Sequence, residues 1–150
     1  MTASIQVAHF ATAARRHYAD GDHLFSMQRY ASADHLAGFA AECALKVILL
    51  QFLGATLVKG KPVSVIGGGQ KVPHSHLPPL WDNLPLVASG RGGASFVALM
   101  TKPNPFVGWA VDDRYSDGKH IDPVQVRAHL DAAKQIIAIQ QQAQIAGALP

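Results

Sequence analysis

Arg114 and His120 frame the stretch Arg114-Tyr115-Ser116-Asp117-Gly118-Lys119-His120, with five residues between them. Histidine suits proton transfer because its unperturbed pKa is about 6.5, and arginine forms forked, charge-assisted bonds to phosphate oxygens. The two together offer a proton-transfer group and a ligand for a phosphate gathering negative charge. Spacing alone is a weak signal, since Arg29 and His35 are equally far apart. In the plainer alternative Arg114 pairs with Asp112, Asp113 or Glu42, and His120 is an exposed loop residue before a helix cap. Upstream, at roughly 100° per helical residue, His35, Glu42 and Lys46 fall within about 20° of one line. That line reads either as a polar, phosphate-facing shell or as a solvated histidine beside an ordinary acid-first Glu42–Lys46 pair, worth a few tenths of a kcal/mol, i.e. ~0.3.

Other chemistry-bearing residues point to structure. His74 and His76 sit two apart beside prolines, a spacing that serves a metal only if ligands arrive from elsewhere. Cys43 falls in an apolar stripe, which fits a small core residue better than a nucleophile. Trp81, Phe106 and Trp109 could stack on bases, but their helical or Pro-flanked positions are those of core aromatics. Gly60-Lys61-Pro62 lacks the hydroxyl residue and glycine spacing of a nucleotide P-loop. No metal or cofactor is expected.

Elements must position these groups. A chain of 150 residues with 49 % hydrophobic and 15 % charged residues is expected to form one domain, spanning 1–150, with a packed core. So few surface charges favour an oligomer. The net charge of +3 permits an anionic partner without requiring one. The single cysteine excludes an internal disulfide and fits a reducing compartment. No secretory signal or bilayer-spanning run is evident, so a cytoplasmic protein without membrane contact is expected.

Apolar residues Val7, Phe10, Ala14, Tyr18, Leu24 and Phe25 recur at helical steps from Thr2 to Met27, predicting a first helix. Ser32 is the expected N-cap of a second helix to about Leu53, with Leu36, Ala40, Cys43, Val47 and Leu50 as its buried stripe. The Gly- and Pro-rich stretch at about 54–73 reads as a mobile loop. A helix capped by Ser75 or His76, with Pro78 and Pro79 early and Leu80, Trp81 and Leu84 on one side, is expected, Pro85 ending or bending it. A short helical piece is expected around Ala94 to Thr101. Asp122-Pro123 opens a last helix with Val126, Leu130, Ala133 and Ile137 inward, turning polar from Gln140 to Gln144. With no period-2 run beyond Val63 to Ile66, the fold class expected is all-α.

The order Arg15-Arg16, Arg29-Tyr30, Ala41-Glu42-Cys43-Ala44-Leu45-Lys46 resembles the first two helices of HEPN-domain proteins. Trp109, Arg114-Tyr115 and the helix from Asp122 are similar to that family's final segment. His76…Leu80-Trp81 and Asn104-Pro105-Phe106 resemble a pattern of some bacterial relatives. The resemblance covers about half the chain. It implies a four- to five-helix up-and-down bundle that forms a homodimer and acts on RNA or a nucleotide, often in toxin–antitoxin or phage-defence systems. Many such proteins are metal-independent ribonucleases whose motif is Arg, four to six residues, then His, just where Arg114 and His120 stand. The resemblance thus implies Arg114 and His120 as catalytic residues, leaving a 2′,3′-cyclic phosphate, with His35, Glu42, Lys46 and Tyr115 contacting substrate. Tyr115 departs from the small polar residue usual in the ribonucleases and is closer to members without cleavage. For those, the implied role is a non-catalytic module pairing with a nucleotidyltransferase or antitoxin.

Overall fold

The computed structural model describes residues 2–88 and 96–148. Helix α1 (Ala3–Ser26) starts where Thr2 Oγ1 accepts the Ile5 N–H. It ends in a left-handed closure: Gln28 takes φ 61°, its N–H donates to Phe25 O, and Arg29 N–H donates to Leu24 O at 2.9 Å. Helix α2 (Tyr30–Gln51) begins at once, two residues before the expected Ser32 cap, because this closure already supplies the turn. The chain therefore doubles back, and Phe10 on α1 comes to lie beside Lys46 on α2.

Helix α2 is buried on most of its circumference. Ala40 and Val47 of the expected stripe are buried, but Leu36, Cys43 and Leu50 only partly so, while Ala33, Ala37, Ala41, Ala44, Leu45 and Ile48 lie inside. A helix enclosed on several sides needs small residues at its crossings. A Cβ at Gly21 of α1 would come within 3.3 Å of Leu130, Ala33 and Leu36. The third long element, α6 (Pro123–Ala148), opens with Asp122 Oδ1 accepting the Val124 N–H at 2.9 Å and buries Val126, Leu130, Ala133 and Ile137 as expected. Gln140 departs from the expected polar end, being buried although polar.

The all-α expectation holds only as "mostly helical". The stretch read as a mobile Gly/Pro loop is a three-stranded antiparallel sheet of β1 (Thr56–Val58), β2 (Lys61–Ile66) and β3 (Gln70–Pro73). Its glycines serve as turn residues. Lys59 (φ 51°) and Gly60 (φ 78°) form the two-residue hairpin that sets Val58 opposite Lys61, and Gly68 and Gly69, also at positive φ, turn β2 into β3. Period-2 reading failed here because Ser64 points inward and Val65 outward.

After the sheet come the short helices α3 (Pro79–Asp82), α4 (Leu84–Val87) and α5 (Val97–Met100), with the break between the first two at Asn83. The first of these starts only at Pro79, later than a cap at Ser75 or His76 would place it. Positions 94 and 95 of the helix expected from Ala94 lie outside the described residues. Asn104 ties this region together, donating to Pro78 O and Asp82 Oδ1 and accepting the Phe106 N–H. Phe106 and Trp109 are buried in the core. The Trp109 ring occupies the space a Cβ at Gly38 would need, 2.0 Å from Cε2, and its Nε1 donates to Asp34 O at 2.9 Å. Among the described residues no helix is long and apolar enough to cross a membrane.

Candidate functional site

Trp109 fixes the segment that follows it. A 3-10 turn (Val111–Tyr115) lies against the first half of α2, and between them opens a cavity of about 360 Å³ whose lining includes Ser32, His35, Asp113, Arg114 and Ser116. Gly118, at φ 75°, lets the returning chain approach α2, where an added Cβ would meet Ala31 at 2.6 Å.

Arg114 is exposed, its guanidinium stacked 4.7 Å from the Tyr115 ring centroid. Among the described residues it forms no ion pair, so the pairing with Asp112, Asp113 or Glu42 does not occur. Asp113 is turned to His120 instead, whose Nε2 lies 3.2 Å from its Oδ1 and must donate, since a carboxylate only accepts. His120 is thus the exposed loop residue of the plainer expectation, with Asp113 as its partner. It does not line the cavity, but the Asp113 it bonds does.

His35 stands across from Arg114, stacked on Trp109 with ring centroids 5.7 Å apart and edge-on to Phe39 at 4.4 Å. Its Nδ1 is buried with no hydrogen-bond partner. Burial, then the Arg114 charge, pushes its pKa below the usual histidine value, against weaker opposition from Asp113, Asp34 and Glu42. His35 is therefore a neutral imidazole at pH 7 beside a cation without a counter-ion.

The remaining expected substrate contacts separate. Glu42 is buried away from the cavity, accepting the Leu77 N–H at 2.9 Å and His76 Nδ1 at 3.2 Å. It anchors the segment after β3 to α2 and makes no ion pair with Lys46, whose Nζ sits 5.7 Å from the Phe10 ring centroid. The ordinary i,i+4 pair therefore does not form: the buried carboxylate has found an orphan amide and an imidazole. Tyr115 is exposed beneath Arg114. His35, Arg114 and, through Asp113, His120 are brought together; Glu42 and Lys46 lie elsewhere.

His74 is buried and hydrogen bonded to Ser64 Oγ at 2.8 Å, and no group of three metal-capable side chains occurs among the described residues. Burial pushes the Cys43 thiol up to about 11, so at neutral pH it is no nucleophile. Sequence reasoning missed Asp113 as the partner of His120 and missed a buried pair, His129 Nδ1 donating to Asp34 Oδ1 at 2.5 Å. Asp34 and His129 are 95 positions apart and carry no spacing signal.

No protein-family model, curated protein or solved structure matches the chain.

Proposed function

We propose that the protein binds RNA or a nucleotide phosphate in the cavity between α2 and the 3-10 turn, and cleaves RNA there without a metal. The observation that carries this reading is a guanidinium without a carboxylate partner facing a histidine held neutral. Arg114 takes the phosphate oxygens by forked bonds. His35 accepts the 2′-hydroxyl proton as the oxygen attacks phosphorus; the P–O5′ bond breaks, and His120, oriented by Asp113, gives its proton to the leaving oxygen. A 2′,3′-cyclic phosphate and a 5′-hydroxyl result. The resemblance to HEPN-domain proteins in Ala14–Leu50 and around Arg114 supports the same assignment. It adds a homodimer in which the site is repeated, in a toxin–antitoxin or defence setting.

A second reading, a non-catalytic module that pairs with an antitoxin or nucleotidyltransferase, is favoured by one arrangement. The Arg114 guanidinium is stacked on Tyr115 and His120 is engaged by Asp113, so both groups already have internal partners.

Incubation of RNA with the protein in EDTA, with product ends identified, separates the two. Cyclic-phosphate ends from the wild type that vanish in folded Arg114→Ala, His35→Ala and His120→Ala proteins fit cleavage. Intact RNA with several sequences, from folded wild type, removes it in favour of the module. Activity surviving all three substitutions means that the site is elsewhere.

A further inference from the structure

The seam between α1 and α2 continues away from the cavity as a line of imidazole and aromatic rings that ends on two cations, Arg16 and Lys46. His35 contacts Phe39, and Phe39 lies 5.8 Å from the His17 ring. His17 lies within the field of both Arg16 and His35. Beyond it a second cavity of about 510 Å³ is lined by Gln6, His9, Phe10, Arg16 and Cys43, among others. Lys46 closes the line, its ammonium over Phe10. From His35 to Lys46 along α2 is eleven residues, or about 16 Å of helix, longer than a single nucleotide.

The first acid of the chain is Asp20, so α1 bears His9, Arg15, Arg16 and His17 before any carboxylate. Asp20 itself acts on His17. Glu42 is turned inward onto Leu77 and His76, and Cys43 stays a neutral thiol. Cations that track a backbone, interleaved with rings on which bases stack, are what sequence-tolerant single-strand binding requires.

We infer that the α1–α2 seam, from His35 through Phe39, His17 and Arg16 to Phe10 and Lys46, is a track for single-stranded RNA that holds the nucleotides flanking the one in the Arg114 cavity. The inference rests on the proposed reading of that cavity. Arg16 and Lys46 meet phosphates, and Phe10 offers a stacking surface. A mononucleotide fills only the cavity; an oligonucleotide fills both.

The test is binding of labelled RNA in EDTA, made uncleavable by 2′-O-methyl groups, at two lengths: a dinucleotide and a strand of about 12 nucleotides, within the range single-strand sites cover. The longer strand is expected to bind more tightly and with a steeper salt dependence. Arg16→Ala should weaken only the long strand and flatten its log–log salt slope by about 0.7, the effect of one lost phosphate contact. Phe10→Ala should weaken it about tenfold. Arg114→Ala should weaken both lengths.

Equal affinity and slope for the two lengths would overturn the track and leave the cavity reading standing. Long-strand binding that responds to Arg16→Ala but not to Arg114→Ala would uphold the track and sink the cavity. Binding at neither length overturns both. A poly-glutamate peptide that displaces the long strand as well as free RNA does would show a surface that reads charge alone, and would also overturn the track. Arg16 is exposed, so its variant should keep the wild-type melt, which guards against misreading an unfolded protein.

Discussion

Among the described residues an aspartate meets a histidine twice, at opposite depths. Asp34 and His129 meet with side-chain exposures of 5 % and 1 %, whereas Asp113 and His120 meet with 24 % and 55 %. Burial turns the first into a clamp. Asp34 sits on α2, its backbone oxygen takes the Trp109 indole, and His129 on α6 stacks on Phe106, so one pair ties together three parts of the core. Exposure leaves the second pair free to exchange its partner for water or substrate at small cost. Chemistry that looks identical in composition therefore holds a fold in one place and can serve a site in the other.

The largest break in that comparison should come from splitting the buried pair. Asp34→Ala or His129→Ala leaves a buried polar group without its partner and is expected to lower stability by about 3–5 kcal/mol, read as a shifted urea midpoint. Replacing both by leucine should recover much of that loss. If single and double replacements are equally mild, the clamp does not exist.

Next in size is Gly38→Ala, which forces a methyl into the space of the Trp109 ring. About 1–3 kcal/mol of destabilisation is expected, with a shift in tryptophan emission as the ring is displaced.

A smaller effect separates the cavity histidine from the exposed one. Burial lowers the pKa values of His17, His35 and His74 in the folded state. The unfolded chain takes up these protons near pH ~6.5, the folded chain only below it. Between those points the unfolded state holds more protons, so stability falls as pH drops through ~6.5 and the loss levels off below the folded-state values. Urea melts from about pH 7 to about pH 5 should show this decline, and His35→Gln should make it shallower. A steeper decline in the variant would reverse the assigned sign.

The smallest expected change is at the exposed pair. Asp113→Ala should move stability by less than about 1 kcal/mol while lowering the proposed RNA cleavage, since it removes the acceptor that orients His120. A stability loss as large as that at Asp34 would erase the distinction between the pairs.

How much of this was legible in the sequence depends on the range of the interaction. The inward face of α6, the Asp122-Pro123 start and the burial of Phe106 and Trp109 follow from local periodicity and capping, and all three stand. The juxtaposition of His35 with Arg114 carries no local signal, because the contact spans α2 and the 3-10 turn. The sheet was misread since positive φ at Gly60, Gly68 and Gly69 can mean either freedom or a fixed turn, and an inward Ser64 hides the strand's alternation. Glu42 was read against its helical neighbour Lys46, yet its partner is an amide 35 residues on, invisible to any helical spacing rule.

The left-handed closure at Gln28 also bears on how the chain reaches this state. It joins α1 to α2 with almost no intervening loop, so their contacts are local and can form without closing a long segment. The chain instead passes through the sheet and the short helices α3, α4 and α5 before α6 brings His129 to Asp34. Connection lengths alone therefore favour early pairing of α1 with α2 and later docking of α6.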